Sequence, residues 1–356
     1  MRDEVIEIAK FGPSKIHFIS ECELRYFNLL NLGDGVKKNK KFKFNKNSFL
    51  GIVVHSVIEE YINEQFDLDK FDKIWSKIFK QKLRACDMEN KEGFVTYFLP
   101  YYIVKKNKTK KLIETLKYKL DSVESEVEIE SSLIKGTVDM LELNASGKSL
   151  TLTDFKSGPI WDYIDGKIDK VKAAYEVQLK SYGLVFWEKG YDADKITCVI
   201  QGLSNKEYAQ FRFEDHDYES HKKFLHKLKN HFNLQISSNQ TDILGTPGDN
   251  TCDFCEFISS CKPLHNDLLH GDGFYRSILI IDQINSEFDD QNSKINISTN
   301  GGLQSLHKIP ETEYWNIKSL ITKNEKVLVS NLYHVVSTRV KNWTQFSTYS
   351  IIKLDS

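Results

Sequence analysis

Two strand-like segments joined by a short polar turn are the feature that most constrains this chain. GTVDMLEL and LTLTDFKSG are separated by a turn at Asn144–Lys148. A hairpin folded about Ser146–Gly147, the natural two-residue turn, sets Asp139 directly opposite Asp154. Opposed side chains on one face have Cβ atoms roughly 5 Å apart, and Lys156, two residues after Asp154, lies on that same face. The sequence therefore predicts that two acids and a lysine converge.

This acid pair suits a hard divalent cation. Two carboxylates at that distance resist joint ionisation, and Mg²⁺ prefers a few carboxylates together with waters and phosphate oxygens. A metal held there stabilises the charge of an in-line phosphate displacement and acidifies a water molecule. Lys156 is placed to orient or deprotonate the attacking water, or to stabilise the developing charge. Taken alone, Asp154 and Lys156 also fit a solvated strand face that simply carries surface charge.

The remaining pattern predicts a mixed α/β (α+β) chain. Helical periodicity follows Ser48, and amphipathic helix is expected between about residues 69 and 121. Antiparallel strands are predicted from 124 to 158, followed by a helix that ends at Gly190. From about 275 onwards, short strand-like runs between polar turns predict a small β-barrel, OB-like in type. We therefore expect two domains, residues 1–270 and 275–356.

The cysteines form a second pattern. Three of them have the compact spacing Cys252-x2-Cys255-x5-Cys261, and C-x2-C is a recurrent metal-ligand spacing because two sulfurs reach one centre from a tight turn. Three thiolates need a fourth ligand, and four thiolates suit tetrahedral zinc as well as an iron–sulfur cluster. Two cysteines have no partner at a useful spacing and are interpreted as buried or semi-buried thiols: Cys86 and Cys198.

The acid and lysine motif resembles a known family. G-x-x-D followed by an apolar strand ending in D-F-K-S-G is similar to the core of the PD-(D/E)XK nucleases, and most similar to their RecB/AddB branch, which includes the CRISPR-associated RecB-like exonucleases. That branch carries a helical Q-x-x-x-Y after the lysine, matched by Gln178 and Tyr182 on one helix face. Its upstream metal-binding histidine is matched by His55. The resemblance covers about residues 48–190.

The resemblance implies a fold and a site. The fold is a restriction-endonuclease-like core with a helical N-terminal part. The implied catalytic residues are Asp139, Asp154, Lys156, Gln178 and Tyr182. The implied ligands of Mg²⁺ or Mn²⁺ are His55, Asp139, Asp154 and the backbone carbonyl of Phe155.

The resemblance also implies a role for the cysteines. Iron–sulfur members of the branch place one cysteine ahead of the nuclease core and three behind it, with the same trailing spacing. A [4Fe–4S] cluster is thus implied on Cys22, Cys252, Cys255 and Cys261, with zinc as the alternative. Such a cluster closes a loop of more than two hundred residues, which removes chain entropy from the unfolded state.

The implied function is a metal-dependent DNA nuclease, an (exo)deoxyribonuclease that hydrolyses phosphodiester bonds of single-stranded DNA or DNA ends. DNA repair, CRISPR adaptation and phage defence are the implied settings, with a helicase or other repair or defence proteins as partners. The chain has no G-x-x-x-x-G-K-[ST] motif of its own. Alternatives are an inactive nucleic-acid-binding scaffold of the same fold, a zinc-stabilised interaction protein, and the same fold cutting RNA.

The composition and the first residues of the sequence predict where in the cell the protein is located. A hydrophobic fraction of 40% fits a folded protein, and no apolar run of eighteen residues predicts a membrane span. The first residues, MRDEVIEIAKFG, contain acids where a secretory leader needs an apolar stretch. The sequence predicts a cytoplasmic protein without a membrane partner.

Overall fold

The computed structural model describes most of the chain. The described residues are 10–30, 46–85, 94–116 and 123–352, apart from short gaps at 145, 165–166, 205–206, 239, 253–254, 256, 271–274, 300–301, 331, 336–337 and 345–346. Cys86 lies outside them. The described parts of Glu7–His17 and Phe44–Asn233 form one compact unit, and those of Phe18–Lys43 and Leu234–Ser356 form a second one. The predicted boundary between residues 270 and 275 stays a prediction.

Helices occur in both units. In chain order they are α1 (His17–Glu21), α2 (Glu23–Leu30), α3 (Lys46–Glu64), α4 (Phe71–Ala85), α5 (Phe94–Leu116), α6 (Ala173–Glu188), α7 (Asp215–Ser237), α8 (Asp249–Cys252), α9 (Lys262–His270) and α10 (Glu311–Thr322).

The strands of the first unit are β1 (Val123–Glu130), β2 (Lys135–Leu143), β3 (Leu150–Lys156), β4 (Trp161–Ile164), β5 (Lys167–Val171), β6 (Ile196–Gly202) and β7 (Tyr208–Phe211). The second unit contains β8 (Leu279–Ile281), β9 (Ser286–Asp289), β10 (Lys294–Thr299), β11 (Gly302–His307), β12 (Val327–Ser330), β13 (Tyr333–His334), β14 (Val340–Asn342) and β15 (Thr348–Ile351).

A five-stranded mixed sheet organises the first unit, in the order β1-β2-β3-β6-β7. Strands β1, β2 and β3 are antiparallel neighbours, whereas β3 and β6 are parallel. A parallel pair needs a crossover connection, and α6 lies in that connection and packs on β3 and β6. The mixed α/β class predicted from the sequence is confirmed.

The β2–β3 hairpin has the register that the sequence predicts. Met140 pairs with Thr153 and Leu143 with Leu150, which is the register of a hairpin folded about Ser146–Gly147. Gly147 has φ +67°, a left-handed conformation that glycine adopts without steric cost.

Helices α3, α4 and α5 cover the sheet with one apolar cluster. Val53, Val57 and Trp75 are fully buried in it, together with Phe155 from β3. Large buried side chains of this kind each contribute roughly 1.5–3 kcal/mol of burial energy. The strands β2 and β3 are therefore fixed on one side by a helical layer, which is the helical N-terminal part that the sequence predicts.

The second unit contains two separate sheets of described strands, in the orders β13-β14-β11-β10-β9 and β15-β12-β8. Residues from both sheets and from α10, such as Ile297, Ile317 and Val327, share one buried cluster. Neither sheet closes on itself through the described strands, because each order has two free ends. The β-rich character is confirmed, but the closed OB-like barrel is not.

No described helix combines the length and apolarity that a membrane crossing requires.

Candidate active site

The pairing of β2 with β3 ends next to the two acids, Asp139 and Asp154. Their ladder ends at the Met140–Thr153 pair. One residue further on, the Asp139 carboxylate turns into the space between the strands, and its Oδ2 accepts a hydrogen bond of 2.6 Å from the Phe155 backbone N–H.

Asp154 and Lys156 form a buried ion pair. Lys156 Nζ lies 2.6 Å from Asp154 Oδ2, and Asp154 is only 2% exposed. Burial raises the pKa of Asp154, the Lys156 ammonium counters that rise, and Asp139 adds to it. Burial alone would lower the pKa of Lys156, but Asp154 and Asp139 outweigh it and raise that pKa above its usual value. Lys156 is therefore a cation at neutral pH.

Helix α6 brings an amide and a phenol to this pair. Gln178 Nε2 donates to Asp154 Oδ1 at 2.8 Å, and Gln178 Oε1 accepts from Lys156 Nζ at 3.0 Å. The Tyr182 hydroxyl lies 2.7 Å from Gln178 Nε2 and 3.5 Å from Asp154 Oδ1. Burial and the Asp154 carboxylate raise the pKa of Tyr182 well above its usual value, so Tyr182 remains a neutral hydrogen-bonding group.

Tyr175 stands one turn earlier on α6. Its ring centroid is 4.9 Å from Lys156 Nζ, a distance at which the π face stabilises an ammonium. Burial raises the pKa of Tyr175. Tyr175 and Gln178, on one face of α6, thus both contact Lys156.

His55 on α3 contacts the first acid. Its Nδ1 is 3.3 Å from Asp139 Oδ2. Burial lowers the pKa of His55, but the contact with Asp139 and the charge of Asp154 outweigh this effect and raise the pKa overall. The imidazole of His55 therefore contacts one acid, Asp139, and is close enough to the other, Asp154, to respond to its charge.

A third acid lies opposite Asp139 on the neighbouring strand. Ser125 pairs with Met140 and Val127 with Val138, so Glu126 falls in register with Asp139. Glu126 has φ +49°, which a non-glycine residue adopts only at a cost. Desolvation raises the pKa of the Glu126 carboxyl, and the carboxylates of Asp139, Glu59 and Asp154 raise it further.

The sequence predicted most of this constellation but missed Glu126. Six predicted residues stand in one group: Asp139, Asp154, Lys156, Gln178, Tyr182 and His55. Alternation in VESEVEIE is consistent with glutamates on one face of β1, but only the register of β1 against β2 singles out Glu126. The Phe155 backbone carbonyl stays a predicted metal ligand, while the Phe155 N–H is the atom that contacts Asp139.

The donor set fits a hard divalent cation, since it offers two or three carboxylates and an imidazole beside a lysine. Among the residues that the structure describes, however, no three His, Cys, Asp or Glu side chains converge closely enough to hold a metal ion. Lys156 is the positively charged side chain that contacts Asp154. The residue types fit, and the described side chains do not form a tight coordination geometry.

The four predicted cluster ligands line a single cavity in the second unit: Cys22, Cys252, Cys255 and Cys261. Burial raises the pKa of Cys261 to about 12, and the Cys252 and Cys22 thiols add to that rise. The softness of four thiols fits an iron–sulfur cluster or zinc. Within the described part of the chain, nevertheless, no three of these sulfurs lie close enough together to hold a metal ion.

An acid pair and a lysine on a mixed sheet backed by helices define a nuclease core. Residues 10–262 match the family model described as the PD-(D/E)XK nuclease superfamily. This match covers more than half of the chain, and the chain belongs to that superfamily. A comparison with curated proteins found no match.

Two solved structures are similar in part. One is described as a "Putative exonuclease" from Eubacterium rectale, with 11% identity, a TM-score of 0.37, and coverage of 65% of this chain and 82% of the other. The second is the crystal structure of SSO0001, with 17% identity, a TM-score of 0.26, and coverage of 69% and 96%. At these TM-scores the likenesses add nothing to the family match.

Proposed function

We propose that this nuclease is a Mg²⁺- or Mn²⁺-dependent deoxyribonuclease of the RecB/AddB branch that cuts single-stranded DNA or DNA ends. The observation that carries the proposal is the contact of Lys156 with Asp154 within hydrogen-bond reach of the Gln178 amide. Asp154 and Lys156 match the D-x-K motif of the branch, and Gln178 matches the glutamine of its Q-x-x-x-Y motif. A decayed scaffold loses the lysine or an acid, whereas this chain keeps both.

Each residue of the site has a separate role in the proposed reaction. The cation would be held by four groups: the side chains of Asp139, Asp154 and His55 and the backbone carbonyl of Phe155. When bound, it would lower the pKa of a water molecule and neutralise charge on the phosphate. Lys156, a cation at neutral pH, stabilises the negative charge that develops on the attacked phosphate. Gln178 fixes the direction of the Lys156 ammonium and of the Asp154 carboxylate. Tyr182 holds the Gln178 amide in place.

We further propose that Cys22, Cys252, Cys255 and Cys261 ligate a [4Fe–4S] cluster, with zinc as the alternative. This proposal is supported by the cavity that the four cysteine side chains line together, although they come from distant parts of the sequence. The cluster's role in this proposal is structural, because it would link residues before the nuclease core to residues after it.

The proposed setting is cytoplasmic DNA repair, CRISPR adaptation or phage defence, where a helicase or another repair or defence protein presents the strand. The branch resemblance supports this setting.

An end-labelled nuclease assay tests the proposal. Single-stranded DNA, duplex DNA and RNA, each labelled at one end, are incubated with and without Mn²⁺. We expect cleavage of single-stranded DNA that requires the metal. Lys156→Ala is expected to reduce the rate by a factor of about 10² or more, and Lys148→Ala, an exposed lysine on the same hairpin, to leave it unchanged. Metal-independent cleavage, or full activity of Lys156→Ala, would contradict the proposal.

A further inference from the structure

The β4–β5 hairpin pairs with no other described strand. It forms a two-stranded sheet of its own, with Tyr163 opposite Ile168, Ile164 opposite Lys167, and a register shift between Trp161 and Tyr163. A single hairpin of this kind is only marginally stable in water without a layer against it. A surface or a ligand packed against the hairpin would stabilise it further.

The hairpin exposes large apolar side chains. Tyr163 is 53% exposed, Ile168 57% and Ile164 61%. Residues that oppose each other on an antiparallel pair share a face, so Tyr163 and Ile168 lie side by side. Exposed apolar groups in one patch are typical of interaction sites.

The base of this hairpin adjoins the catalytic centre. Strand β4 begins five residues after Lys156, and β5 ends at Val171, just before α6. The backbone N–H of Lys172 donates to the Ile160 carbonyl at 3.1 Å and closes the hairpin base. The Asp162 carboxylate acts on the pKa of Tyr175, whose ring is 4.9 Å from Lys156 Nζ. The base of the hairpin therefore lies near the position where the resemblance places the substrate strand.

The charges of the hairpin indicate which part of a nucleic acid it contacts. Exposed Lys167 and Lys170 are balanced by the acids Asp162 and Asp169, so attraction to phosphates alone does not account for this surface. Aromatic and aliphatic side chains instead suit the faces of bases. Base faces are accessible where a strand is unpaired.

We propose that the hairpin face of Tyr163 and Ile168 stacks against unpaired bases of the substrate strand next to the scissile phosphate. This inference rests on the proposed nuclease function and adds to it a residue basis for single-strand preference. Continuity with the catalytic site favours the substrate strand over a protein as the occupant. Duplex DNA, whose bases are stacked on one another, cannot make this contact without unpairing.

Binding measurements test the stacking. All variants carry Lys156→Ala in the full chain, so that the strand stays intact, and fluorescence anisotropy reports binding of a labelled single-stranded oligonucleotide. Tyr163→Ala with Ile168→Ala is expected to lower the affinity about 10-fold or more, the usual effect of losing an aromatic stacking partner. Tyr163→Phe keeps the ring and should bind normally. Tyr208→Ala removes an exposed tyrosine from β7 and serves as the control.

A second readout separates stacking from a structural role. 2-Aminopurine placed near the scissile position loses fluorescence when it stacks, so its emission should fall on binding to the protein that keeps Tyr163. The double alanine variant should leave that emission high even at saturating protein concentration. Duplex DNA should show no dependence on Tyr163.

The results distinguish failure of the hairpin proposal from failure of the proposed nuclease function. Unchanged affinity and unchanged quenching in the double variant, in a chain whose wild type cuts DNA, would overturn the hairpin proposal alone and leave a protein partner as the occupant. A wild type that neither binds nor cuts any nucleic acid would overturn both proposals. Loss of affinity in Tyr208→Ala as well would also overturn a specific role for the hairpin.

Discussion

The carboxylate of Asp154 accepts a hydrogen bond of 2.8 Å from the side-chain amide of Gln178. The same amide accepts a hydrogen bond from Lys156 through its oxygen. One neutral group thereby orients both members of a charged pair. Because Gln178 is only 4% exposed, solvent competes little for these bonds, and the charges stay at fixed positions.

We expect Gln178→Ala to slow cleavage by about 10- to 100-fold, the effect of losing hydrogen bonds to charged groups worth about 1.5–3 kcal/mol. The loss should fall on kcat, because Gln178 positions the reacting groups and does not by itself hold the strand. Steady-state kinetics on a single-stranded substrate measure it. Gln210→Ala, an exposed glutamine on β7, is the control. An effect confined to KM would contradict the positioning role.

Glu126→Gln tests the third acid. Its carboxylate stands in register with Asp139, so its charge should help to attract the cation. Removing a charge worth roughly 1 kcal/mol of attraction should raise the Mn²⁺ concentration for half-maximal cleavage about fivefold. The rate at saturating Mn²⁺ should change by less than about twofold.

The control for this prediction is Glu128→Gln. Glu128 lies two residues further along β1, opposite Thr137, and its charge does not face an acid across that pair. An identical Mn²⁺ titration for wild type and Glu126→Gln would remove Glu126 from the site.

His221 makes the stability of the protein sensitive to acid. It is buried on α7, with its Nε2 2.8 Å from the Ser181 hydroxyl. Burial lowers its pKa from 6.5 to about 4, and the Lys180 ammonium contributes to the shift. As the pH falls below 6.5, this histidine is protonated in the unfolded chain, whereas the buried His221 of the folded protein stays neutral. The contribution of His221 to the free energy of unfolding is therefore complete above pH 6.5 and decreases as the pH falls towards 4.

We expect His221→Gln to reduce this acid sensitivity, because glutamine keeps a hydrogen-bonding group and does not titrate. Between pH 7 and pH 5, wild type should lose about 2 kcal/mol more of its free energy of unfolding than the variant does. Urea unfolding at the two pH values measures the difference. His216→Gln, at an exposed position, should behave like wild type. Equal losses in wild type and His221→Gln would contradict the assignment.

Cys255→Ser tests the cluster. If four thiolates hold iron and sulfide, the variant should lose the brown colour and the bound iron. It should also unfold at a lower urea concentration, by roughly 3 kcal/mol or more, as for opening a long closed loop. Iron, sulfide and zinc analysis of the purified protein gives the identity of the metal. Colourless wild type with one zinc per chain would favour the zinc alternative.

Cys198→Ser is the matched control for that experiment. Cys198 is buried in the first unit, its Sγ donates to the Leu179 carbonyl at 3.5 Å, and burial raises its pKa to about 12. Cys198 does not line the cavity of the four cysteines, so its loss should leave the iron content unchanged.

The sequence alone was sufficient to predict which residues share a face when they lie in one hairpin or one helix. The period of two in β2 and β3 and the glycine in their turn determine the register of the hairpin, from Leu143–Leu150 to Met140–Thr153. The spacing of four residues similarly puts Gln178 and Tyr182 on one face of α6. These relations follow from backbone periodicity, which is the same wherever the element lies.

Relations between distant segments required the tertiary structure. The sequence of α6 puts Gln178 and Tyr182 on one face but does not say what that face contacts. Packing of α6 on β3 buries both and turns the amide toward Asp154 and Lys156. The register of β1 likewise brings Glu126 opposite Asp139.

The strand pairing of the second unit was not predictable for the same reason. A row of short strands is compatible with a closed barrel or with two open sheets, since local alternation is identical in both. The sequence by itself determined which residues can share a face of a strand or helix. Tertiary packing decided which faces meet, because that choice depends on the burial of apolar surface summed over the whole unit and on no single segment.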